Sequence, residues 1–471
     1  MKAQKPVPST YNLRIPIGDS ILFPVTGAQL KFFRVKTPPE EAVAMVDTEA
    51  GALFRLNGTL AKNTWMAREM AQFVTALIQS ILAIIRIMII ALLNVIGLLN
   101  VITSRREGGE KRIAFQSFAI HLAQHFQPVI TRLLEENVEL SFIILLNHRF
   151  PLKSARELRA YARDVLLIPN KNIKYYWKTI WETYDLIIYN DIHAKFPIRK
   201  TTNWLMSHGV GVTPKRITGS MLHKTLFDFD LSLMTGSHDL NVVKDSCGKK
   251  GHSVELVPVG LPFLDRFVDP GISRERYLMN LSLDTNKKTI LFAPHWGVTR
   301  TNAQILNRYF DQCIAILNEL DYNIIVKLHA CSLNISQAKG VDWKKRLQRL
   351  DSVAIDYNVD DIPALAFSDI LITDFSSRAF NFMMLNKPVI LIFQVPFTKL
   401  VDVDKARLMQ KGSFVADHLD NLKQLIKRAI DNPDLLSVDR QRVASECFVN
   451  FSRSAEAVVA LIKNRIKLEQ D

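Results

Sequence analysis

The spacing of apolar residues changes three times between positions 360 and 393. Ile362–Phe367 has the spacing of a short helix, and Asp369–Thr373 is a mostly apolar run typical of a buried strand. A second helix is predicted for Arg378–Leu385, and Val389–Phe393 predicts another buried strand. This order of strand, turn, helix and strand is a βαβ unit, and such sheets bind ligands at the carboxyl ends of their strands.

A polar turn, Asp374-Phe375-Ser376-Ser377, joins the first of these strands to the second helix. Because a helix begins there, free backbone N–H groups and the positive end of the helix dipole point at the same place. The hydroxyl groups of Ser376 and Ser377 beside those N–H groups suit a phosphate. The alternative interpretation is that Asp374 or Ser376 only caps the helix.

The chain around this unit, residues 288–430, has the alternating pattern of an α/β domain. Its first predicted elements are a strand, a helix and a second strand: Thr289–Ala293, Ala303–Leu320 and Asn323–His329. The second strand ends in basic residues, Lys327 and His329. We expect both to reach the sheet edge that carries Ser376 and Ser377, and this convergence predicts a phosphate site.

Residues 111–260 show a similar alternation and predict a first α/β domain with a parallel sheet. The predicted strands are Ile113–Phe118, Leu140–Leu146, Val165–Ile168, Leu186–Asn190, Trp204–Met206 and Leu231–Met234. No glycine-rich dinucleotide motif follows the first strand. The proline-spaced stretch Val257–Pro262 predicts a linker between the two domains. Residues 439–467 predict one amphipathic helix that returns across the first domain.

His208 stands beside Gly209 on a loop of the first domain, after a short predicted strand. Between Lys195 and Lys224 the chain has six basic residues and no acid. A histidine on such a loop can take a proton from an attacking hydroxyl, because its pKa lies near working pH. A loop histidine that only bonds to backbone is the alternative.

Residues 72–103 are almost entirely apolar, and Arg86 is the only charged residue between Glu69 and Arg105. At 100° per residue the polar residues fall within an arc of about 120°; they are Thr75, Gln79, Arg86, Asn94 and Asn100. Three interpretations compete: a membrane-spanning helix, a helix lying in the membrane interface, and a buried core or dimer helix. The stripe favours the interfacial helix. A basic flank for anionic lipid follows it, formed by Arg105, Arg106, Lys111 and Arg112.

The composition narrows the function classes only slightly. A net charge of +14 attracts nucleic acid, anionic lipid or phosphorylated substrates alike. The four cysteines lie far apart and without metal-ligand spacing, which predicts neither zinc nor a disulfide framework and suits a reducing compartment. The first ten residues lack the apolar core of a signal peptide. No RNA-binding motif supports a nucleic-acid partner.

Four motifs follow one another between residues 200 and 415: His208-Gly209, Phe292-Ala293-Pro294-x-Trp296, Lys327-Leu328-His329 and the run Ser368–Ser377. In this order the chain resembles the CDP-glycerol glycerophosphotransferases, the GT-B-fold polymerases and primases of teichoic acids. Phe380, Lys387-Pro388 and Gly412 follow at the spacing of that family. Residues 1–110 do not take part in the resemblance.

The resemblance implies two facing Rossmann-like domains with a nucleotide-diphospho donor, CDP-linked, in the cleft between them. It implies catalytic roles for His208 and His329. It implies that donor contacts come from Gly209, Lys215, Pro294, Trp296, Arg300, Lys327, Thr373, Asp374, Ser376 and Ser377. No metal and no separate cofactor are expected, because cations and helix ends can stabilise a leaving phosphate.

The chain also departs from the family pattern. Family members usually have Thr-Trp-Arg where this chain has His295-Trp296-Gly297, and the nearest arginine is Arg300. Asn381 stands where the family has an acid, and Ala330 where it has a proline. The donor therefore stays open among CDP-glycerol, CDP-ribitol and a nucleotide sugar.

Together these patterns predict an α/β protein of GT-B type with five segments. They are a small N-terminal element of unknown role (1–71), a membrane-associating helical segment (72–110), an acceptor domain (111–260), a donor-nucleotide domain (261–438) and a crossing helix (439–471). The predicted function is transfer of a polyol phosphate to a hydroxyl of a lipid-linked or polymeric acceptor at the cytoplasmic membrane face. A GT-B glycosyltransferase or epimerase and an inactive membrane scaffold are the alternatives. Whether the protein forms a homo-oligomer is left open.

Overall fold

The structure is a computed structural model. It describes residues 45–47, 53–55, 111–146, 152–179, 182–191, 201–210, 229–248, 254–295, 305–335, 342–392 and 403–467. The chain divides into two compact units, residues 1–92 and 93–471. In the first unit, β1 (Met45–Asp47) pairs antiparallel with β2 (Leu53–Arg55). The predicted membrane-associating segment lies outside the described residues. Within the described ranges, no helix combines the length and the apolar composition needed to cross a membrane.

The first domain of the second unit contains a parallel sheet with the strand order β5-β4-β3-β6-β7-β8-β9. Its strands are β3 (Ile113–Ser117), β4 (Leu140–Ile144), β5 (Ile173–Tyr175), β6 (Leu186–Tyr189), β7 (Thr202–Met206), β8 (Leu231–Met234) and β9 (Glu255–Pro258). The described helices of this domain are Ile120–Ala123, Gln127–Glu135, Leu152–Asp164 and Ser237–Gly248, with short 3₁₀ turns at Gln124–Phe126, Asn170–Asn172 and Tyr176–Thr179. The alternating pattern thus predicted the parallel sheet correctly.

One prediction for this domain was wrong, and a second was right only in part. Val165–Ile168 is the turn after a helix, with Leu167 at a positive φ of 57° and 67% exposed, and the edge strand is Ile173–Tyr175 instead. Val257–Pro262 is not simply a linker, because Glu255–Pro258 forms the opposite edge strand. Pro258 is tolerated there because it ends an edge strand, where a missing N–H removes no bond to a central neighbour.

The second domain has a parallel sheet with the order β12-β11-β10-β13-β14-β15. Its strands are β10 (Thr289–Phe292), β11 (Asn323–Val326), β12 (Ala354–Ile355), β13 (Ile370–Thr373), β14 (Val389–Ile392) and β15 (Phe414–Ala416). Its described helices are Pro262–Asp265, Arg274–Asn280, Ile305–Arg308, Phe310–Asn318, Ala330–Ile335, Trp343–Leu347, Ile362–Phe367, Arg378–Met384, Val403–Lys411 and Leu422–Asp431, with a 3₁₀ turn at Leu419–Asn421.

The strands β4, β10 and β13 are buried along their whole length, as their mostly apolar runs predicted. Alternate residues of each strand enter separate cores. Leu291 and Leu371 pack with the helix Arg378–Met384 on one face, whereas Ile290 and Ile372 pack with the helix Phe310–Asn318 on the other. Helices therefore cover both faces of the second sheet, and the polar loops are left at its edges.

The predicted helix over residues 439–467 is two helices, Ser437–Cys447 and Ser454–Ile466. The break between them contains Asn450 and Ser452, both at positive φ, and it buries Phe448 in the core of the second domain. The earlier helix packs against Arg378–Met384, and the later one packs on the first domain. The end of the chain therefore returns to the first domain, as its amphipathic pattern suggested.

The chain crosses between the domains twice, and the two crossings touch. Gly260 has a φ of 93°, and a Cβ there would lie closer than 3.0 Å to the Val449 carbonyl oxygen and the Ser454 Oγ. Asn450 Nδ2 donates to the Val259 carbonyl at 3.4 Å. Asp265 accepts hydrogen bonds from the backbone N–H groups of Ser454 (3.1 Å) and Ala455 (2.7 Å), and so satisfies the start of the last helix. Residues 259–265 and 449–455 thus form one junction.

Candidate functional site

Each sheet has a point where its strand order reverses, and the chain leaves neighbouring strands in opposite directions there. In the first sheet this point lies between β3 and β6, and in the second between β10 and β13. Loops at such a point open a crevice at the carboxyl ends of the strands. His121 follows β3, Pro294 follows β10, and Asp374 follows β13. The two sheets therefore direct polar loops from their switch points.

The turn Asp374–Ser377 is tied to the neighbouring loop after β10. The Thr373 hydroxyl donates to the Ala293 carbonyl at 2.7 Å, and the buried Asp374 carboxylate accepts the His295 N–H at 2.6 Å. Ser376 Oγ accepts the Arg378 N–H at 3.3 Å, which is a long hydrogen bond. Helix capping is therefore a weak part of this turn, and the role of Asp374 is to join two loops.

The loop of His208 reaches the same turn from the first domain. A Cβ on Gly209 would lie 3.7 Å from Ser377 Oγ, which is ordinary contact distance. His208 Nδ1 lies 2.7 Å from the Asn190 carbonyl oxygen. Since a carbonyl oxygen can only accept, Nδ1 carries a proton, and in the neutral ring Nε2 has the lone pair. The structure thus brings a histidine whose neutral form has an acceptor nitrogen next to the turn Asp374–Ser377, the serine turn.

Three further histidines lie around His208. The rings of His121 and His329 have centroids 5.4 Å apart, and those of His125 and His208 are 6.1 Å apart. His121 and His125 belong to the first domain, whereas His329 follows β11 in the second. The cluster therefore combines side chains from both domains.

Burial keeps most of this cluster neutral. Burial, helped by the nearby His208, lowers the pKa of His121 to about 4. Burial also holds the pKa of His125 and of His329 well below the ordinary value, in each case reinforced by neighbouring histidines. The Cys331 N–H donates to His329 Nδ1 at 3.1 Å, so the neutral His329 carries its proton on Nε2. His329 and His208 therefore have opposite tautomers.

Lys327 was predicted to contact phosphate, but its ammonium group is buried and bound within the protein. Its Nζ lies 2.8 Å from Asp356 Oδ2 and donates to the Asn358 carbonyl at 2.6 Å. Asp361 lies 3.8 Å away. Arg378 holds Asp361 with two hydrogen bonds of 2.8 and 2.9 Å. The positive charge of Lys327 is therefore already compensated by acids of the second domain, and its contact with phosphate stays a prediction.

The other predicted contacts divide into two groups. Gly209, Pro294, Asp374, Ser376 and Ser377 lie on the loops described above, and Thr373 is the last residue of β13. Lys215, Trp296 and Arg300 lie outside the described residues. The sequence pattern did not indicate Asn190, His121, His125, Asp361 and Arg378. The sequence did contain a pattern that could have indicated His121 and His125. They are four residues apart just after the first strand, and this spacing puts both on one side of a helical turn.

Comparison with known proteins places this arrangement in a family. The family model described as CDP-glycerol:poly(glycerophosphate) glycerophosphotransferase matches residues 140–452, more than half of the chain. The teichoic acid glycerol-phosphate primase of Bacillus subtilis (strain 168) is 31% identical over 159 residues. That alignment covers 34% of this chain and 38% of the primase, so the chain spans well under two thirds of this relative.

Solved structures share the fold. The wall teichoic acid polymerase TagF matches with a TM-score of 0.56 and 16% identity over 83% of this chain and 98% of TagF. A TagF variant soaked with CDPG matches with a TM-score of 0.57 and 15% identity, over 80% of this chain and 94% of the variant. The UDP-GlcNAc 2-epimerase of Methanocaldococcus jannaschii matches with a TM-score of 0.51 and 11% identity, over 75% of this chain and 99% of the epimerase. At these identities the likeness concerns the fold alone, and it confirms a GT-B-like pair of parallel-sheet domains.

Proposed function

Because the chain belongs to the family of CDP-glycerol:poly(glycerophosphate) glycerophosphotransferases, we propose that it transfers glycerol phosphate from a CDP-activated donor to an acceptor hydroxyl. The acceptor is a lipid-linked or polymeric molecule of cell-surface polymer synthesis. The names of its relatives support this choice, since one is a teichoic acid primase and another a wall teichoic acid polymerase. The soak of TagF with CDPG supports CDP-glycerol as the donor.

The observation that carries the proposal is the hydrogen bond from His208 to the Asn190 carbonyl. In the neutral ring it leaves Nε2 as the proton acceptor, on a loop that lies beside the serine turn. In the proposed reaction, Nε2 takes the proton of the acceptor hydroxyl, whose oxygen bonds to the phosphorus that carries glycerol. The bond from that phosphorus to the oxygen of the CMP phosphate breaks, and CMP leaves with the electron pair.

The second histidine serves the opposite purpose. Its tautomer gives His329 an Nε2–H, which can donate to a phosphate oxygen but cannot act as a base. Ser376 and Ser377 add hydroxyl donors at the carboxyl end of β13. Groups fixed in place before the reaction stabilise charge that develops on the phosphates. These residues are proposed to hold the donor diphosphate, with no separate cofactor.

The first experiment measures CMP release from CDP-glycerol. We expect His208→Ala to lower turnover by about 10²–10⁴-fold, the usual range for a lost general base, with donor affinity nearly unchanged. His418→Ala, which removes an exposed histidine of the second domain, is the control and should keep normal turnover. Near-normal turnover of His208→Ala would remove His208 as the base.

The second experiment tests the donor site. Replacing both Ser376 and Ser377 by alanine should weaken CDP-glycerol binding in calorimetry, with little change in the melting temperature. A variant that melts early and binds the donor normally would instead show that these serines serve the fold. Release of UDP from a nucleotide sugar, without CMP release from CDP-glycerol, would favour the glycosyltransferase or epimerase alternative, and absence of any nucleotide binding would favour the scaffold.

The proposal includes attachment to the cytoplasmic face of the membrane through residues 72–110. Support comes from the sequence, which combines an apolar segment with a basic flank. A lipid-linked acceptor would then lie in the same surface that holds the enzyme.

A further inference from the structure

Three side chains with metal-binding atoms meet where the two domains face each other. They are His121 of the first domain and His329 and Cys331 of the second, and their ligand atoms all lie within 4.8 Å of one another. We propose that they form a binding site for a zinc ion. Sequence spacing does not indicate this site, because His121 and Cys331 are 210 residues apart in the chain.

The geometry is close to what zinc requires. Cys331 Sγ lies 3.9 Å from His121 Nε2, and the rings of His121 and His329 meet edge to face. A tetrahedral zinc ion with ordinary Zn–S and Zn–N bonds separates such a sulfur and nitrogen by about 3.6 Å. Small side-chain movements therefore bring these atoms to coordination distance.

The set of ligands selects the metal. One sulfur and two imidazole nitrogens suit a borderline-soft ion such as Zn²⁺, whereas Mg²⁺ and Ca²⁺ take oxygen ligands. Three protein ligands leave a fourth position for water or another small ligand. On binding, the Cys331 thiol gives its proton to solvent and coordinates as thiolate.

Elements of both domains hold the ligands in place. His121 lies in the short helix Ile120–Ala123, directly after β3. Cys331 lies in the helix Ala330–Ile335, which begins after β11. A bound ion would therefore link the carboxyl ends of β3 and β11 by coordinate bonds between the two domains.

Zinc and donor would compete for His329, a consequence that rests on the proposed function. Coordination through Nε2 moves the ring proton to Nδ1 and ends the hydrogen bond from the Cys331 N–H. The Nε2–H that was assigned to the donor phosphate is then lost. Zinc is expected to inhibit transfer, and a chelator to restore it.

The binding test uses the full chain, freed of metal by chelation, and titrated with Zn²⁺ and with Co²⁺. We expect one equivalent of metal and, for cobalt, the near-ultraviolet absorption of a thiolate–cobalt bond. Cys331→Ala should abolish that absorption, whereas Cys313→Ala, which removes a cysteine of the same domain, should keep it. His121→Ala should weaken zinc binding by more than about 100-fold, and His125→Ala should not.

The outcomes separate the two proposals. Absence of the thiolate absorption, or its persistence in Cys331→Ala, would overturn the zinc site. Cobalt binding at Cys331 together with turnover that zinc does not affect would keep the zinc site and instead contradict the role of His329 in donor binding. Inhibition by zinc that is lost in Cys331→Ala supports both.

Discussion

Single hydrogen bonds to backbone groups determine which ring nitrogen carries the proton in His208 and in His329. The Asn190 carbonyl fixes a proton on Nδ1 of His208, and the Cys331 N–H leaves Nδ1 of His329 without one. The sequence indicated both residues, because each follows a predicted strand. It could not indicate their tautomers, since Asn190 and His208 are brought together only by the pairing of β6 with β7.

The neutral histidines predict a pH dependence of stability. His121, His125 and His329 have pKa values lowered by burial, to about 4 for His121, whereas the unfolded chain titrates near 6.5. Below pH 6.5 the unfolded state binds more protons, so stability that is present at pH 7 is lost as the pH falls. Each histidine contributes a slope that rises with falling pH toward a limit of about 1.4 kcal/mol per pH unit.

Urea unfolding between pH 7.5 and 5, in the presence of a chelator, measures this slope. His121→Gln should reduce it, and His418→Gln, at an exposed position, should not. Equal slopes for the two variants and the parent protein would contradict a neutral His121 in the folded protein. The window ends at pH 5 because carboxylates begin to contribute near that pH.

Replacing the single residue Lys327 should also change the stability of the protein. Removing one partner of a buried ion pair leaves the other charge uncompensated, so Lys327→Met should lower the free energy of unfolding by about 3–5 kcal/mol. The control is Lys423→Met, which breaks an exposed pair with Glu319 and should cost less than about 1 kcal/mol. Similar costs for both variants would show that the Lys327–Asp356 pair is not formed in solution.

At the scale of elements, long apolar runs were predicted well and short edge strands were not. β10, β13 and β14 are buried on both faces, so their sequences are almost entirely apolar and their ends are clear. The edge strands β12 and β15 have only two and three residues, which is too short for a continuous apolar run to be detected. The serine turn follows β13, one of the buried strands whose ends the sequence predicted well.

The junction between the domains predicts a loss of stability when Gly260 is replaced. Gly260→Ala places a methyl group against the Val449 carbonyl in a backbone conformation that alanine disfavours, so it should destabilise the protein by about 3 kcal/mol or more. Gly271→Ala is the matched control. Gly271 also has a positive φ, of 73°, but nothing lies within 4 Å of its Cβ position, and we expect a cost of only about 1–2 kcal/mol.

Thermal or urea unfolding of both glycine variants distinguishes crowding from backbone strain. A Gly260→Ala protein as stable as Gly271→Ala would mean that the two crossings do not touch as described.

At the scale of the whole molecule, the net charge of +14 is relevant to membrane attachment. Part of the basic flank is engaged inside the first domain: Arg112 pairs with Glu182 at 3.1 Å, and Lys111 lies 3.6 Å from Asp185. Arg105 and Arg106 are therefore the better residues for a test of attraction to anionic lipid.

Sedimentation with anionic vesicles gives that test. Replacing Arg105 and Arg106 by glutamine should weaken vesicle binding by about 1 kcal/mol each, or about 30-fold together, and high salt should reduce the difference. Lys344 and Lys345, an exposed basic pair of the second domain, provide the control double variant. Equal loss of binding in both double variants would show that overall charge, and not this flank, attracts the protein to lipid.

The double crossing at Gly260 also limits how the two domains can move. Because both chain segments meet at one place, sliding the domains apart would stretch both of them, whereas rotation about the junction disturbs few contacts. We therefore expect relative motion of the domains to be mainly rotation about this junction. Such a rotation would change the gap between the His208 loop and the serine turn while each sheet keeps its own residues in fixed relation.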